Sequence, residues 1–251
     1  MPNPQQLLLV LPLIFLVAVL YSSVGHGGAS GYLAVISLMG FSARQFVPIV
    51  LTLNVLVAGI AFLNYRRPGA FEIRKLLPFV ITSIPASYIG GMLRVSQPVF
   101  EIILGVALLA AAGRLVLPKS PSHRSSFIVQ HYYPIALPIG LILGFVSGMI
   151  GIGGGIFLSP ILLFLGITDI KGSAAMASAF IVLNSLAGLA GHANTIFSLG
   201  DALFLYFLLA GLAGALLGSY FGATKSRPHT LQYALASVLV LAGLKLVAGA
   251  I

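Results

Sequence analysis

Two glycine clusters hold the residues whose types and spacing point most directly to chemistry. Gly25-His26-Gly27-Gly28-Ala29-Ser30 and Gly151-Ile152-Gly153-Gly154-Gly155 each precede an apolar piece of only about 12 residues, 29–40 and 155–166. A glycine inside a helix costs about 1 kcal/mol relative to alanine, so each cluster reads as a break after which a helix restarts. A restarting helix presents N–H groups that have no intrahelical partner, at the positive end of its dipole, and these make a site for an anion. The competing role for such glycines is close helix packing, as small residues provide in membranes. Neither cluster is a nucleotide fingerprint, because no βαβ context surrounds it and no Gly-Lys-Ser/Thr follows.

Side chains near the clusters extend the same chemistry. His26 lies inside the first cluster, and a reference pKa of about 6.5 suits either donation to an anion or proton coupling; a packing histidine bonded to a carbonyl is the alternative. Asn54 and Asn184 fall at matching places inside apolar runs, where an amide is satisfied by a neighbouring helix or by a substrate. Ser30 closes the first cluster. Ser22, Ser23, Thr52, Ser147 and Ser178 are weaker candidates, since Ser and Thr hydroxyls can bond their own helix. The four acids, Glu72, Glu101, Asp169 and Asp201, fall in or beside expected loops and offer no carboxylate pair for acid-base work. With no cysteine there is no thiolate metal site and no cysteine nucleophile. An intramembrane serine hydrolase would have to pair Ser147 with His192, a pairing with no counterpart in the first half. No cofactor and no metal are expected.

The elements that must position these residues are membrane helices. The 251 residues are 59% hydrophobic and 7% charged, with a mean hydropathy of +1.10. A soluble domain carries about 25% charged residues, so an ordinary soluble enzyme and a free nucleic-acid-binding domain are excluded, and no nucleic-acid partner is expected. Spans of about 20 apolar residues are expected near 7–24, 45–64, 76–93 and 99–117, then near 134–150, 174–192, 202–222 and 230–249. The N-terminal stretch lacks the basic start and cleavage site of a secretory signal and reads as a retained first segment. The pieces 29–40 and 155–166 are too short to cross easily.

The clusters also stand in register. Gly25, Gly27, Gly28 and Gly40 match Gly151, Gly153, Gly154 and Gly166 at one offset of 126 residues. The chain therefore divides into repeat 1 (1–117), a polar linker (118–133) and repeat 2 (134–251). The loop with Arg66, Arg67, Arg74 and Lys75 has a second-half counterpart, about 192–201, without Lys or Arg; the next loop has only Arg94, whereas its counterpart has Lys225 and Arg227. By the positive-inside rule equivalent loops lie on opposite sides, the linker with Lys119 and Arg124 is cytoplasmic, and both termini are external. The expected fold is an all-α polytopic membrane protein of two inverted repeats, each with a glycine-broken hairpin plus about three full transmembrane helices. Paired interrupted segments in inverted halves are the pattern of a secondary transporter with its site near the midplane.

These residues, from Gly151-Ile152-Gly153-Gly154-Gly155 through Pro160 together with the repeated cluster Gly25 to Ser30, resemble the sulfite exporter TauE/SafE family, which includes permeases for 4-toluene sulfonate. The second-half stretch matches the family's Gly-x-Gly-Gly-Gly-x-x-x-x-Pro pattern in full. The first half departs from it, with Ala29 for the last glycine and Ala34 where the offset places the proline. The resemblance extends over about 7–250 and implies a multi-pass permease of the cell inner membrane for small anions such as sulfite or organosulfonates. The expected partners are that anion, the lipid bilayer and protons as coupling ion, with oligomeric state, substrate and direction open. The expected mechanism is alternating access around an anion held at the two breaks by Gly25, His26, Gly27, Gly28, Ser30, Asn54, Gly151, Gly153, Gly154, Gly155 and Asn184; an anion channel on the same scaffold is the alternative.

Overall fold

The computed structural model describes residues 4–66, 71–116, 132–193, 201–224 and 229–250. Almost all of the linker, with Lys119 and Arg124, lies outside the described residues, as do Arg67, Lys225 and Arg227. The described residues form ten α-helices: α1 (Pro4–Ser22), α2 (Ala29–Leu38), α3 (Val47–Tyr65), α4 (Ile73–Met92), α5 (Gln97–Val116), α6 (Tyr132–Ile150), α7 (Gly155–Phe164), α8 (Ile170–Gly191), α9 (Asp201–Thr224) and α10 (His229–Ala250). A 3₁₀ turn, Ala43–Phe46, leads into α3. No strand occurs among the described residues.

Among the described residues five helical stretches are long and apolar enough to cross a membrane: Ala43–Tyr65, Gln97–Arg114, Tyr132–Ile150, Ile170–Gly191 and Phe204–Phe221. The expected span 76–93 forms α4, which is long enough but carries Arg74, Lys75, Pro78 and Pro85 and is not among the five. The short helices α2 and α7 have ten residues each, about 15 Å of rise, roughly half of a hydrocarbon core.

Close helix contacts fix the direction of each helix. On α6, Gly140, Gly144 and Gly148 lie so near the carbonyl oxygens of Phe79, Ser83 and Ser87 on α4 that a Cβ at any of them would overlap. The residue numbers rise together, so α4 and α6 run parallel. Gly214 and Gly218 of α9 press in the same manner on Phe15 and Val19 of α1. Such small residues let helix backbones approach where the solvent supplies no hydrophobic drive. Leu53 against Gly211 and Asn64 bonded to Ser219 make α3 and α9 parallel, and the Ser87 hydroxyl donating to the Asn184 carbonyl at 2.7 Å, with Gly91 against Gly188, does the same for α4 and α8.

The central pair is antiparallel. Leu51 of α3 lies by Gly188 of α8, while Ala61 and Tyr65 pack with Ala174 and Ala175. In α5 and α10, Gly105 faces Val247 and Leu109 faces Gly243, which is again antiparallel. Hence α1, α3 and α9 run one way and α4, α6 and α8 the other. The spans containing α3 and α8 are 61% buried, against 33–39% for the other three, so these two helices form the middle of the bundle.

Candidate functional site at the two glycine breaks

Four glycines that match at the 126-residue offset end helices. Gly25 (φ 78°) terminates α1, with the His26 N–H donating to the Tyr21 carbonyl at 2.9 Å and the Gly25 N–H to Ser22 at 3.1 Å. Gly40 and Gly166 terminate α2 and α7 with the same pair of bonds, and Gly151 (φ 78°) terminates α6 on the Ser147 carbonyl. This is the left-handed helix stop that glycine adopts without a Cβ penalty. After each long helix the chain turns and restarts at a further left-handed glycine, Gly28 (φ 95°) before α2 and Gly154 (φ 74°) before α7, with Gly153 (φ 76°) left-handed as well.

The breaks approach one another from opposite ends of the bundle. Gly25 packs against Ala174 near the start of α8, and Gly151 against Val47 at the start of α3; because α3 and α8 are antiparallel, these are opposite ends. Gly27 and Gly153 then both reach Asn54 of α3 and Ile181 of α8 in the middle. From there α7 runs back along α8 to the Ser159–Ser173 hydroxyl pair at 2.7 Å, while α2 must run towards the start of α3, since only eight residues separate Leu38 from Val47. The N-termini of the two short helices therefore meet at Asn54 and point away from each other.

Asn54 is fully buried and joins the two breaks. Its Oδ1 accepts from the Ala29 N–H at 3.1 Å, filling one donor of the α2 N-terminus, and its Nδ2 donates to the Ile152 carbonyl at 3.1 Å. A Cβ on Gly27 would collide with Asn54 Oδ1, and one on Gly153 would stand 2.9 Å from Nδ2 and 2.8 Å from the Ser185 hydroxyl. Gly155, the first residue of α7, is pressed onto Ile181 and Ala177. Among the described residues no acceptor is bonded to the N–H of Gly27, Gly28, Gly153 or Gly154.

The remaining expected residues are placed differently. Ser30 is buried, but its hydroxyl pairs with Tyr21 at 2.6 Å and ties α2 to α1. The His26 ring is turned to its own loop, with Nδ1 bonded to the Val24 carbonyl at 2.9 Å. Asn184 donates Nδ2 to Phe180, one turn back on its own helix, and its buried Oδ1 has no partner. It is thus not the mirror of Asn54. Two residues that sequence reasoning passed over lie at the breaks: the Tyr32 hydroxyl, beside Gly28, and the Ser185 hydroxyl, beside Gly153, are both buried without a hydrogen-bond partner. An unpaired buried polar group costs about 1–3 kcal/mol, so several at one place point to a ligand. Their only signal in the sequence is placement, Tyr32 one turn into the short helix and Ser185 next to Asn184.

The hydrolase pairing is not made. Ser147, beside Gly154, gives its hydroxyl to the Leu143 carbonyl, while His192 follows the last residue of α8 and bonds the Gly188 carbonyl through Nδ1 at 2.8 Å.

The profile of the family described as Sulfite exporter TauE/SafE matches residues 10–246. The chain belongs to that family. It is 33% identical over 236 residues to the "Probable membrane transporter protein y4hK" of Sinorhizobium fredii, covering 92% of this chain and 94% of that one. The "Probable membrane transporter protein YjnA" of Bacillus subtilis is 24% identical over 250 residues, 92% and 96% of the two chains. No solved structure matches. As a family member the protein is a membrane transporter with several apolar helices, multi-pass in the bilayer.

Proposed function

We propose that the protein moves a small oxyanion, sulfite or an organosulfonate, across the cell inner membrane by alternating access, holding it where the two glycine breaks meet. The observation that carries this reading is the head-to-head approach of two helix N-termini at Asn54, with unpaired glycine N–H groups and unpartnered Tyr32 and Ser185 hydroxyls around it. All of these donors are neutral, and in a low-dielectric interior they stabilise an anion without fixing a permanent counter-charge there. Asn54 Oδ1 already occupies the Ala29 N–H as an oxyanion would. Substrate then displaces the amide or joins it at the free donors of Gly27, Gly28, Gly153, Gly154 and Gly155. Gly25 and Gly151 shape the breaks, His26 is the proton-coupling candidate, and Ser30 and Asn184 support the packing.

Repeat 1 (1–117) and repeat 2 (134–251) are inverted copies, a reading supported by the opposite directions of α1 and α6, α3 and α8, and α4 and α9. Rocking one repeat against the other around the fixed site gives alternating access. The close packing of both breaks on Asn54 and Ile181 favours a carrier over a standing pore.

Flux from proteoliposomes tests the reading with sulfite, toluenesulfonate, acetate and phosphate at two pH values. Saturable transport of the sulfur oxyanions is expected, abolished in Gly154→Leu while membrane insertion persists. Unchanged flux in that variant removes the site.

A further inference from the structure

A separate site, this one cationic, lies at one end of the bundle. A cavity of about 340 Å³ is lined by Arg44, Arg94, His192 and Tyr88, with Met149 and Phe100 among its apolar walls. Arg44 precedes α3, Arg94 follows α4 and His192 follows α8, so all three stand at one end of the bundle, whereas Arg66, Arg74 and Lys75 stand at the other. If most basic residues mark the cytoplasmic face, the cations at the opposite end need another reason. Lys245 has one: its ammonium donates to the Ser37 and Leu38 carbonyls at the end of α2, at 2.6 and 3.3 Å. Arg44 donates one N–H to the Val95 carbonyl at 2.7 Å. Among the described residues no carboxylate pairs with either arginine.

We infer that this cavity binds a small oxyanion between the Arg44 and Arg94 guanidinium groups, with His192 as a third donor once protonated. Guanidinium planes suit forked contacts to oxyanions. Met149, two residues before Gly151, forms part of the wall, so the cavity sits beside the second break.

His192 makes binding depend on pH. Burial, and then the charge of Arg44, hold its pKa below the usual histidine value, while the Gly188 carbonyl opposes them. The other titratable or charged groups that line the cavity with it are Arg94 and Tyr88. The ring is therefore neutral near pH 7. A bound anion favours the imidazolium, so affinity rises as pH falls through the window between the bound and free pKa, by up to about tenfold per pH unit.

The ligand chemistry is shared by a dissolved oxyanion and a lipid phosphate. The test uses full-length protein with labelled histidine in nanodiscs, following the His192 imidazole signals by NMR. One arm titrates sulfate into zwitterionic discs; the other compares discs with and without phosphatidylglycerol. A saturable upward shift of the His192 pKa with sulfate, lost in R94Q, establishes a dissolved-anion site. A shift produced only by phosphatidylglycerol and lost in R94Q establishes the site with a lipid headgroup as its oxyanion. Signals unmoved in both arms, or moved equally in R94Q, overturn the inference. Arg94 is exposed and, among the described residues, its side chain makes no hydrogen bond or ion pair, so R94Q is expected to fold. The signals report this cavity alone, and failure of the central site leaves them unaffected.

Discussion

Asn54 satisfies one donor of the α2 N-terminus and one carbonyl of the opposite break, and an acid there changes both contacts. Asn54→Asp keeps the acceptor for the Ala29 N–H but loses the donor to Ile152 and places a negative charge where an anion is to bind. Anion flux in N54D is expected to fall at least tenfold, with insertion retained; proteoliposome uptake normalised to protein checks it, and wild-type flux contradicts the role. Gly148→Ala asks a different question. Its Cβ would overlap the Ser87 carbonyl, whereas a Cβ on Gly59 meets nothing within 4 Å. Overpacking costs about 1–3 kcal/mol, so G148A is expected to lower the thermal midpoint by several degrees and G59A to leave it near wild type. Equal midpoints would contradict the close α4–α6 contact.

At the scale of the element, a ten-residue helix in a membrane bundle needs its ends satisfied. For α2, Asn54 serves the start and Lys245 the end. Hydrogen bonds to a charged group contribute about 1.5–3 kcal/mol, so Lys245→Met is expected to lower the thermal midpoint by a few degrees, with K245R restoring most of it. The breaks themselves were legible in the sequence, because a helix-ending glycine is a local requirement: Gly25, Gly40, Gly151 and Gly166 stand in register and each ends a helix. Gly140, Gly144 and Gly148 are the same residue type without the clustering, and they pack helices instead. The Asn54–Ile152 contact was not legible, since it spans 98 residues and depends on where α3 meets the break between α6 and α7. Lys245 counted only towards the net charge of +9, yet it serves the end of a helix. Asn184 matched Asn54 in the sequence, but its Nδ2 bonds Phe180 one turn back on its own helix rather than reaching the facing break.

Over the whole molecule, the helix directions and the basic loops give one topology. Taking the end that carries Arg66, Arg74 and Lys75 as cytoplasmic puts the start of α1 and the end of α10 outside. Reporter fusions at the 66–75 loop and at the C-terminus are expected to read opposite sides, and the same side for both would contradict the inverted arrangement. The central claim is that an oxyanion contacts the glycine N–H groups between the two short helices. Its most direct test is glycine-selective amide NMR of the purified protein during a sulfite titration. Saturable shifts are expected at Gly27, Gly28, Gly153 and Gly154; transport-competent protein in which those four signals stay fixed while sulfite saturates would contradict an anion held at the breaks.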